Sequence, residues 1–217
     1  MKFLKGLKNI LVFILILVLF LGLISFGIVA YGTATRPVAH MDTINKYSEE
    51  YGVDPLLVLS VIKVESNFRP EAKSHKNALG LMQVIPETGK AIAKSLKKEY
   101  SDEMLKDPDT NIQMGTYYLA YLINHFNDED LAIAAYNGGM GNVEKWLLDK
   151  NVSNDGKNLH NIPIDETRNY VKKVRNNYEI YKMFYEGKEP LKDNINKSPK
   201  TWVDNYIRTI KTGIKKF

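Results

Sequence analysis

One glutamate closes an apolar segment with helical spacing. Three apolar residues share its face of the predicted helix, lying seven, four and three positions before it: Val58, Val61 and Ile62. Such neighbours exclude water from the carboxyl group of Glu65, and desolvation raises the pKa of a carboxyl group. With a raised pKa it would be protonated near neutral pH and could serve as a general acid. The alternative is a Glu65 that turns outward and pairs with Lys63 or Arg69.

Three further segments carry the side chains that a sugar polymer requires. They are Gly80-Leu81-Met82-Gln83, Ala135-Tyr136-Asn137 and Glu166-Thr167-Arg168-Asn169-Tyr170. Tyrosine rings offer flat apolar surface to sugar rings, while amides and hydroxyls bind hydroxyl and acetamido groups. Each segment alone also has an ordinary structural explanation as a turn, a helix end or a helix start. In combination with Glu65 they favour a carbohydrate-cleaving site.

The elements that position these residues are predicted to be helices. Helix-start signals recur between residues 40 and 187, and the alternation typical of strands is nearly absent. Helices are predicted at 56–65, 86–96, 108–126, 130–137 and 143–148, with a last one from 165 to the residue before Gly187. The glycine-rich segment 138–141 is expected to break the chain between helices, and 151–161 is expected to be a loop. The sequence therefore predicts an all-α domain.

Together, in this order and at these spacings, the segments resemble the soluble lytic transglycosylase (SLT) family of peptidoglycan-cleaving enzymes, which is related in fold to goose-type lysozyme. Glu65-Ser66 and Asp107-Pro108 with Asn111-Ile112 and Gly115 also match the family pattern. The resemblance covers about residues 40–187. It implies a lysozyme-like all-α fold in a catalytic domain that we place at 37–187.

The resemblance also implies site roles. Glu65 is the catalytic residue, and substrate contacts fall to Ser66, Met82, Gln83, Tyr136, Asn137 and Tyr170. Within that set, Met82 packs along the sugar, and Tyr170 donates a hydrogen bond that orients Glu65. Ser66 and Gln83 hold groups of the substrate or the intermediate, and Tyr136 and Asn137 contact the sugar near the cleavage point. No metal and no cofactor are implied.

Glycoside hydrolysis ordinarily uses two carboxyl groups. In this sequence only Glu65 has the surroundings expected of a catalytic acid. Glu166 is a candidate second acid, although its place at a helix start favours capping or positioning. The resemblance implies a mechanism with one acid. Glu65 protonates the oxygen between N-acetylmuramic acid and N-acetylglucosamine, then takes the proton of the muramoyl C6 hydroxyl as that oxygen attacks C1. The alternatives are a hydrolysing muramidase on the same fold and a non-catalytic, membrane-tethered wall-binding module.

The N-terminal segment predicts a membrane anchor within residues 1–36. Residues 10–24 are almost all Ile, Leu, Val and Phe, and no charged side chain occurs between Lys8 and Arg36. The basic residues Lys2, Lys5 and Lys8 precede this run, which places the N-terminus in the cytoplasm and the domain on the extracytoplasmic side of the cell membrane. The expected topology is single-pass. The alternative is a cleaved signal peptide and a secreted domain.

Charge is concentrated at the two ends of the chain. The formal net charge is +5, with Lys2, Lys5, Lys8 and Arg36 unopposed by acids before residue 37 and a basic excess after residue 187. The domain between them is acidic on balance, which argues against a nucleic-acid partner. The tail 188–217 has the pattern of a basic amphipathic helix, predicted to contact anionic lipid or wall polymer. The alternative is that it packs on the domain or stays loose. The absence of cysteine and of paired histidines argues against a metal site.

Overall fold

A computed structural model describes residues 2–35 and 38–185, together with Ile207. Contacts between Cα atoms divide the chain into two units: Met1–Pro37 with Asn194–Phe217, and Val38–Asp193. The predicted amphipathic helix of the tail and the predicted stop at Gly187 lie outside the described residues.

The N-terminal unit contains one long apolar helix. Helix α1 spans Lys2–Thr35, and within it Gly6–Ile28 forms a stretch of 23 residues with a mean hydropathy of 3.1. At ~1.5 Å per residue, such a stretch is long enough to cross a hydrocarbon core of ~30 Å. By length and composition α1 therefore qualifies as a membrane-spanning helix.

The second unit is built from helices, as predicted. They are α2 (Met41–Tyr51), α3 (Pro55–Glu65), α4 (Pro86–Ser95), α5 (Pro108–Phe126), α6 (Glu129–Gly138), α7 (Met140–Leu148) and α8 (Asp165–Tyr185). A short 3-10 helix, Asp102–Lys106, lies before α5 and was not predicted. Among the described residues, β pairing is limited to two isolated bridges, Lys73 with Leu79 and Leu79 with Val84.

Aspartate caps fix where three of these helices begin. The Asp54 carboxylate accepts a hydrogen bond from a backbone N–H of α3 at 2.7 Å, and Asp107 does the same for α5 at 2.9 Å. Proline follows each of these two caps at the first helical position, where its missing N–H is not needed. Helix α6 is capped by Asp128 and begins at Glu129, one residue before the predicted start.

The predicted glycine-rich break at 138–141 is wrong in its extent. Only Gly139 leaves the helical conformation, with φ 85° and ψ 136°, while α6 includes Gly138 and α7 begins at Met140. Gly138 serves packing instead, because a Cβ there would lie 3.0 Å from the Thr167 Oγ1 of α8. One non-helical residue is enough to redirect the chain, so two helices form where a longer loop was expected.

Helix α3 runs through the core of this unit. All its residues from Leu56 to Ile62 are buried, including Ser60, whose hydroxyl donates to the Leu56 carbonyl at 2.7 Å. Helix α8 packs against α3 and α6, and α5 packs against α6 and α2. The C-terminal end of α3 therefore emerges between α8 and the connection 66–85, and Glu65 is its last residue.

Candidate active site

Glu65 lies at the point where α3 leaves the core. The Tyr170 hydroxyl of α8 donates a hydrogen bond to Glu65 Oε1 at 2.7 Å. Burial raises the pKa of Glu65 from 4.5 to about 7, against the smaller lowering effect of the Tyr170 hydrogen bond. A large fraction of Glu65 is therefore protonated near neutral pH, the state that a general acid requires.

The alternative of an outward Glu65 paired with a neighbouring cation does not fit the structure. Lys63 Nζ donates to Asn67 Oδ1 at 2.5 Å, and Arg69 Nε donates to the Ser66 carbonyl at 3.0 Å. Among the described residues, no ion pair includes Glu65. Burial thus disfavours the charged form of Glu65, and no ion pair among the described residues offsets that cost.

Two buried phenols accompany the acid. Burial together with the negative charge of Glu65 raises the pKa of Tyr170 and of Tyr136 well above 10. Both hydroxyls therefore stay protonated and act as hydrogen-bond donors. Tyr170 donates to Glu65, whereas Tyr136 donates to the backbone carbonyl of Met82 at 2.8 Å.

The connection between α3 and α4 is held in place by Asn111 of α5. The Asn111 side chain is buried, and its Oδ1 accepts the Met82 N–H at 2.7 Å. Its Nδ2 donates to the carbonyls of Leu79 at 2.8 Å and Leu105 at 2.7 Å. The side chain reaches this backbone because residue 80 is glycine, where a Cβ would lie 2.2 Å from Asn111 Nδ2.

Gln83 is presented by the same connection, in a left-handed backbone conformation with φ 50°. Its Nε2 donates to the carbonyls of Ala72 at 3.0 Å and Gly80 at 2.8 Å. These bonds fix the side chain through its nitrogen. Within the described residues the amide oxygen has no hydrogen-bond partner, so it can accept a hydrogen bond from a ligand.

Glu65 and Gln83 open on one cleft of about 450 Å³. The other lining residues come from the connection after α3: Arg69, Glu71, Ala72, Lys73 and Ser74. A larger hollow of about 690 Å³ lies between the end of α5, α7 and residues 156–158, away from Glu65. Because the smaller cleft contains Glu65, whose pKa burial raises to about 7, it is the better candidate for catalysis.

Two residues of the predicted set have side chains turned into the core. Met82 is 0% exposed, and its sulfur occupies the space left by Gly115, where a Cβ would lie 2.5 Å away. The Met82 side chain therefore lies in the core, while its backbone carbonyl accepts the Tyr136 hydrogen bond. Ser66 is 1% exposed, and its hydroxyl donates to the Ile62 carbonyl at 3.3 Å.

The remaining candidates lie at the junction of α6 and α8. Asn137 Oδ1 accepts a hydrogen bond from Thr167 Oγ1 at 2.9 Å, which fixes the orientation of the amide. Glu166 is exposed in the first turn of α8, with Lys76 Nζ 3.9 Å from its Oε1. Its exposure contrasts with the burial of Glu65, and its position at the helix N-terminus suits a negative charge.

The sequence alone predicts no role for Asn111 or Thr167, although both lie within the family motifs. The available signal was a polar residue at a core-facing position: Asn111 precedes the buried Ile112 in α5, and Thr167 is one turn before the buried Val171 in α8. A buried polar side chain requires hydrogen-bond partners. In this protein those partners are the backbone of the 66–85 connection and the Asn137 amide.

Comparison with known proteins agrees with this geometry. The soluble lytic murein transglycosylase of Escherichia coli (strain K12) is 35% identical over 158 residues, which cover 71% of this chain and 24% of the relative. Membrane-bound lytic murein transglycosylase C of Sodalis glossinidius is 33% identical over 171 residues, covering 68% of this chain and 48% of the relative. This chain thus spans between a quarter and a half of these relatives' lengths.

A solved structure shares the fold of the second unit. The 70 kDa soluble lytic transglycosylase SLT70 from Escherichia coli matches with a TM-score of 0.62 and 31% identity, over 70% of this chain and 25% of that one. The sequence profile described as the transglycosylase SLT domain matches residues 42–159, more than half of this chain. The predicted family and the all-α, lysozyme-like fold are confirmed: the chain belongs to the transglycosylase SLT domain family.

Proposed function

We propose that this chain is a membrane-anchored lytic transglycosylase that cleaves peptidoglycan between N-acetylmuramic acid and N-acetylglucosamine without consuming water. The observation that carries this proposal is the partly buried carboxyl group of Glu65, whose pKa is raised to about 7 and which accepts the Tyr170 hydrogen bond at 2.7 Å. The names of the murein-cleaving relatives support the choice of substrate.

In the first step Glu65 acts as the acid. Its proton passes to the glycosidic oxygen as the bond from that oxygen to C1 of the muramoyl residue breaks, which releases N-acetylglucosamine as the leaving group with its hydroxyl restored. The carboxylate that remains accepts the Tyr170 hydrogen bond, which stabilises the charged form. A pKa near neutrality suits a group that must both give and take a proton.

In the second step the Glu65 carboxylate acts as the base. It removes the proton of the muramoyl C6 hydroxyl while that oxygen attacks C1, which forms a 1,6-anhydro ring and restores the carboxylic acid. One bond from C1 to oxygen breaks and one forms, so the scheme needs no water, metal or cofactor. A second carboxyl group is not required, and Glu166 keeps a positioning role at the start of α8.

The other site residues are proposed to bind the sugars. The free amide oxygen of Gln83 accepts a hydrogen bond from a substrate hydroxyl or acetamido N–H, and Asn137 binds a second acetamido or hydroxyl group near the cleavage point. Tyr136 contributes its ring beside that point while its hydroxyl holds the Met82 carbonyl. The roles of Met82 and Ser66 are limited to backbone positioning, because their side chains are buried.

We further propose three segments with distinct roles: residues 1–36 as cytoplasmic N-terminus and anchor, 37–187 as catalytic domain, and 188–217 as a basic tail. The lysines in the first turns of α1, which precede its apolar run, favour a cytoplasmic N-terminus and an extracytoplasmic domain. Detergent, but not high salt, should release the chain from membranes, and external protease should reach the domain in spheroplasts. Release by salt alone would contradict the anchor.

Deletion of 200–217 in a chain without α1 tests lipid or wall retention by the tail.

The decisive experiment is mass spectrometry of peptidoglycan digested by the full chain. Anhydromuramoyl ends are expected, and reducing ends, heavier by one water, would instead identify a hydrolysing muramidase. Glu65→Gln is expected to remove nearly all products and leave the helical circular dichroism spectrum unchanged. Glu144→Gln is the matched control, because Glu144 is half-exposed on α7 beside His125. No products from the wild-type chain would favour a binding module without turnover.

A further inference from the structure

Helix α8 makes polar contacts to the same two helices at two levels along its length. At the first level Thr167 Oγ1 donates to Asn137 of α6 at 2.9 Å, and the Tyr170 hydroxyl donates to Glu65 of α3 at 2.7 Å. These residues belong to the candidate active site. The second level repeats the pattern eight residues later in α8, which is ~12 Å further along the helix.

The second level joins α8 to the N-terminal ends of α3 and α6. The Tyr178 hydroxyl donates to Asp54 Oδ2 at 2.7 Å, and the same carboxylate caps α3 through its other oxygen. Arg175 donates through Nη1 to Glu129 Oε2 at 2.7 Å and through Nε to Asp130, both in the first turn of α6. Each of these partners lies at the start of a helix whose other end carries a residue of the site.

The order of the contacts shows that α8 runs antiparallel to α3. Tyr178, late in α8, reaches the N-cap of α3, whereas Tyr170, earlier in α8, reaches its last residue. The contacts to α6 follow the same order. A displacement of α8 along its axis would therefore disturb both levels at once.

Apolar packing determines which face of α8 points inward, but it does not specify the axial position in the same way. Val171 and Val174 are buried between the two levels, and burial of apolar surface has no directional requirement. A hydrogen bond is directional and is lost when donor and acceptor separate beyond about 3.5 Å. The contacts of Tyr178 and Arg175 therefore supply the axial reference.

We propose that Tyr178 and Arg175 are positioning residues that fix the axial register of α8 on α3 and α6. In that register the Tyr170 hydroxyl reaches Glu65, a contact that favours the carboxylate. This inference rests on the proposed function, because it concerns the same catalytic acid. Neither Tyr178 nor Arg175 contacts the substrate, and both act through Tyr170.

The titratable and charged groups that face Glu65 come from α6, α8 and the connection after α3. They are Tyr136, Tyr170, Arg69, Glu71 and Lys73. Tyr178→Phe alters none of these side chains. A change in the pKa of Glu65 in that variant would therefore report a displacement of α8 and not the loss of a neighbouring charge.

The test is NMR titration of the Glu65 carboxyl group in the full chain in detergent, with ¹³C-labelled glutamate and with the Glu65→Gln spectrum to assign the signal. Tyr170→Phe should raise the pKa of Glu65 by about 1 from its value of about 7, the effect of one hydrogen bond to a charged group. Tyr178→Phe should raise it by about 0.3 to 1, because the Tyr170 hydrogen bond is weakened. In the Tyr170→Phe background, Tyr178→Phe should add nothing, since no hydrogen bond remains to be lost.

Tyr47→Phe is the matched control. The Tyr47 hydroxyl donates to Asp109 Oδ2 at 2.8 Å, so this pair also joins two helices through a tyrosine and an aspartate, but the helices are α2 and α5. The pKa of Glu65 should keep its wild-type value in this variant. Arg175→Gln, which removes the ion pairs to α6, should raise the pKa in the same direction as Tyr178→Phe does.

An unchanged pKa of Glu65 in Tyr178→Phe overturns the inference. A further rise on adding Tyr178→Phe to Tyr170→Phe also overturns it, because the effect would not pass through Tyr170. If Tyr178→Phe fails to fold, the titration of Arg175→Gln decides by the same criteria. The proposed function fails separately, if the wild-type chain releases no anhydro ends from peptidoglycan, and the titrations would still test the register in that case.

Discussion

The raised pKa of Glu65 makes the wild-type protein less stable at higher pH, and Glu65→Gln should remove that cost. Each pKa unit corresponds to about 1.4 kcal/mol, so a rise from 4.5 to about 7 means that ionising Glu65 in the folded state costs about 3 kcal/mol. The folded state binds the proton more tightly than the unfolded state does. Stability is therefore fully retained below pH 4.5, declines as pH rises, and is lower by about 3 kcal/mol above pH 7.

Glutamine is uncharged at every pH and still offers an oxygen to the Tyr170 hydroxyl. We expect Glu65→Gln to match the wild type near pH 4 and to be more stable at pH 8 by an amount approaching 3 kcal/mol, the value set by the pKa of about 7. The assay is urea unfolding of the full chain in a mild detergent, followed by near-ultraviolet circular dichroism at a series of pH values. Glu71→Gln, at an exposed residue of the same cleft, is the control and should follow the wild-type curve.

The difference between the two unfolding curves carries the test. A Glu65→Gln variant whose free energy of unfolding parallels that of the wild type from pH 4 to pH 8 would refute the desolvation of Glu65. A variant that is less stable at pH 8 would show that the carboxylate is favourably bound in the folded state. Either result removes the physical basis for Glu65 as a general acid.

Three further outcomes follow from the structure. Tyr170→Phe removes a hydrogen bond that favours the carboxylate, so the pKa of Glu65 should rise further. The alkaline limb of the pH–rate profile should then move to higher pH, and a limb that stays in place would contradict this. Gly80→Ala should destabilise the protein by more than about 2 kcal/mol in urea unfolding, because φ is +78° and the new Cβ would displace Asn111. An unchanged urea midpoint would show that the 66–85 connection adapts to the new side chain. Asp128→Ala should cost about 1 kcal/mol through loss of the α6 cap, with Asp128→Asn retaining most of the stability; equal losses would implicate the charge instead.

The helices could be predicted because their signals are local. Two helix starts are each indicated by an aspartate followed by a proline, Asp54 with Pro55 and Asp107 with Pro108. The apolar spacing of the residues that follow agrees with these caps. The desolvation of Glu65 could be predicted for the same reason, since its apolar neighbours belong to its own helix. The predicted break at 138–141 was too long because every glycine in it was taken as a helix breaker. Gly138 is instead part of α6 and allows the close approach of α8.

What escaped sequence reasoning depends on contacts between distant residues. The burial of the Met82 side chain follows from the missing Cβ at Gly115, more than thirty residues later in the chain. The three hydrogen bonds of Asn111 reach backbone groups up to 32 residues away. No local pattern indicates which side of the 80–83 turn faces the core. The motif therefore predicts which residue types are present there, but not which of their side chains are buried.

The acid and the phenol that orients it are 105 residues apart in the chain. Synthesis proceeds from the N-terminus, so a growing polypeptide that carries Glu65 has to wait for α8 before Tyr170 can reach it. A nascent or truncated chain that ends before α8 has the carboxyl group but neither the packing of α8 against α3 nor the phenol beside the acid. The separation therefore delays the pairing of Glu65 with Tyr170 until translation of the domain is almost finished.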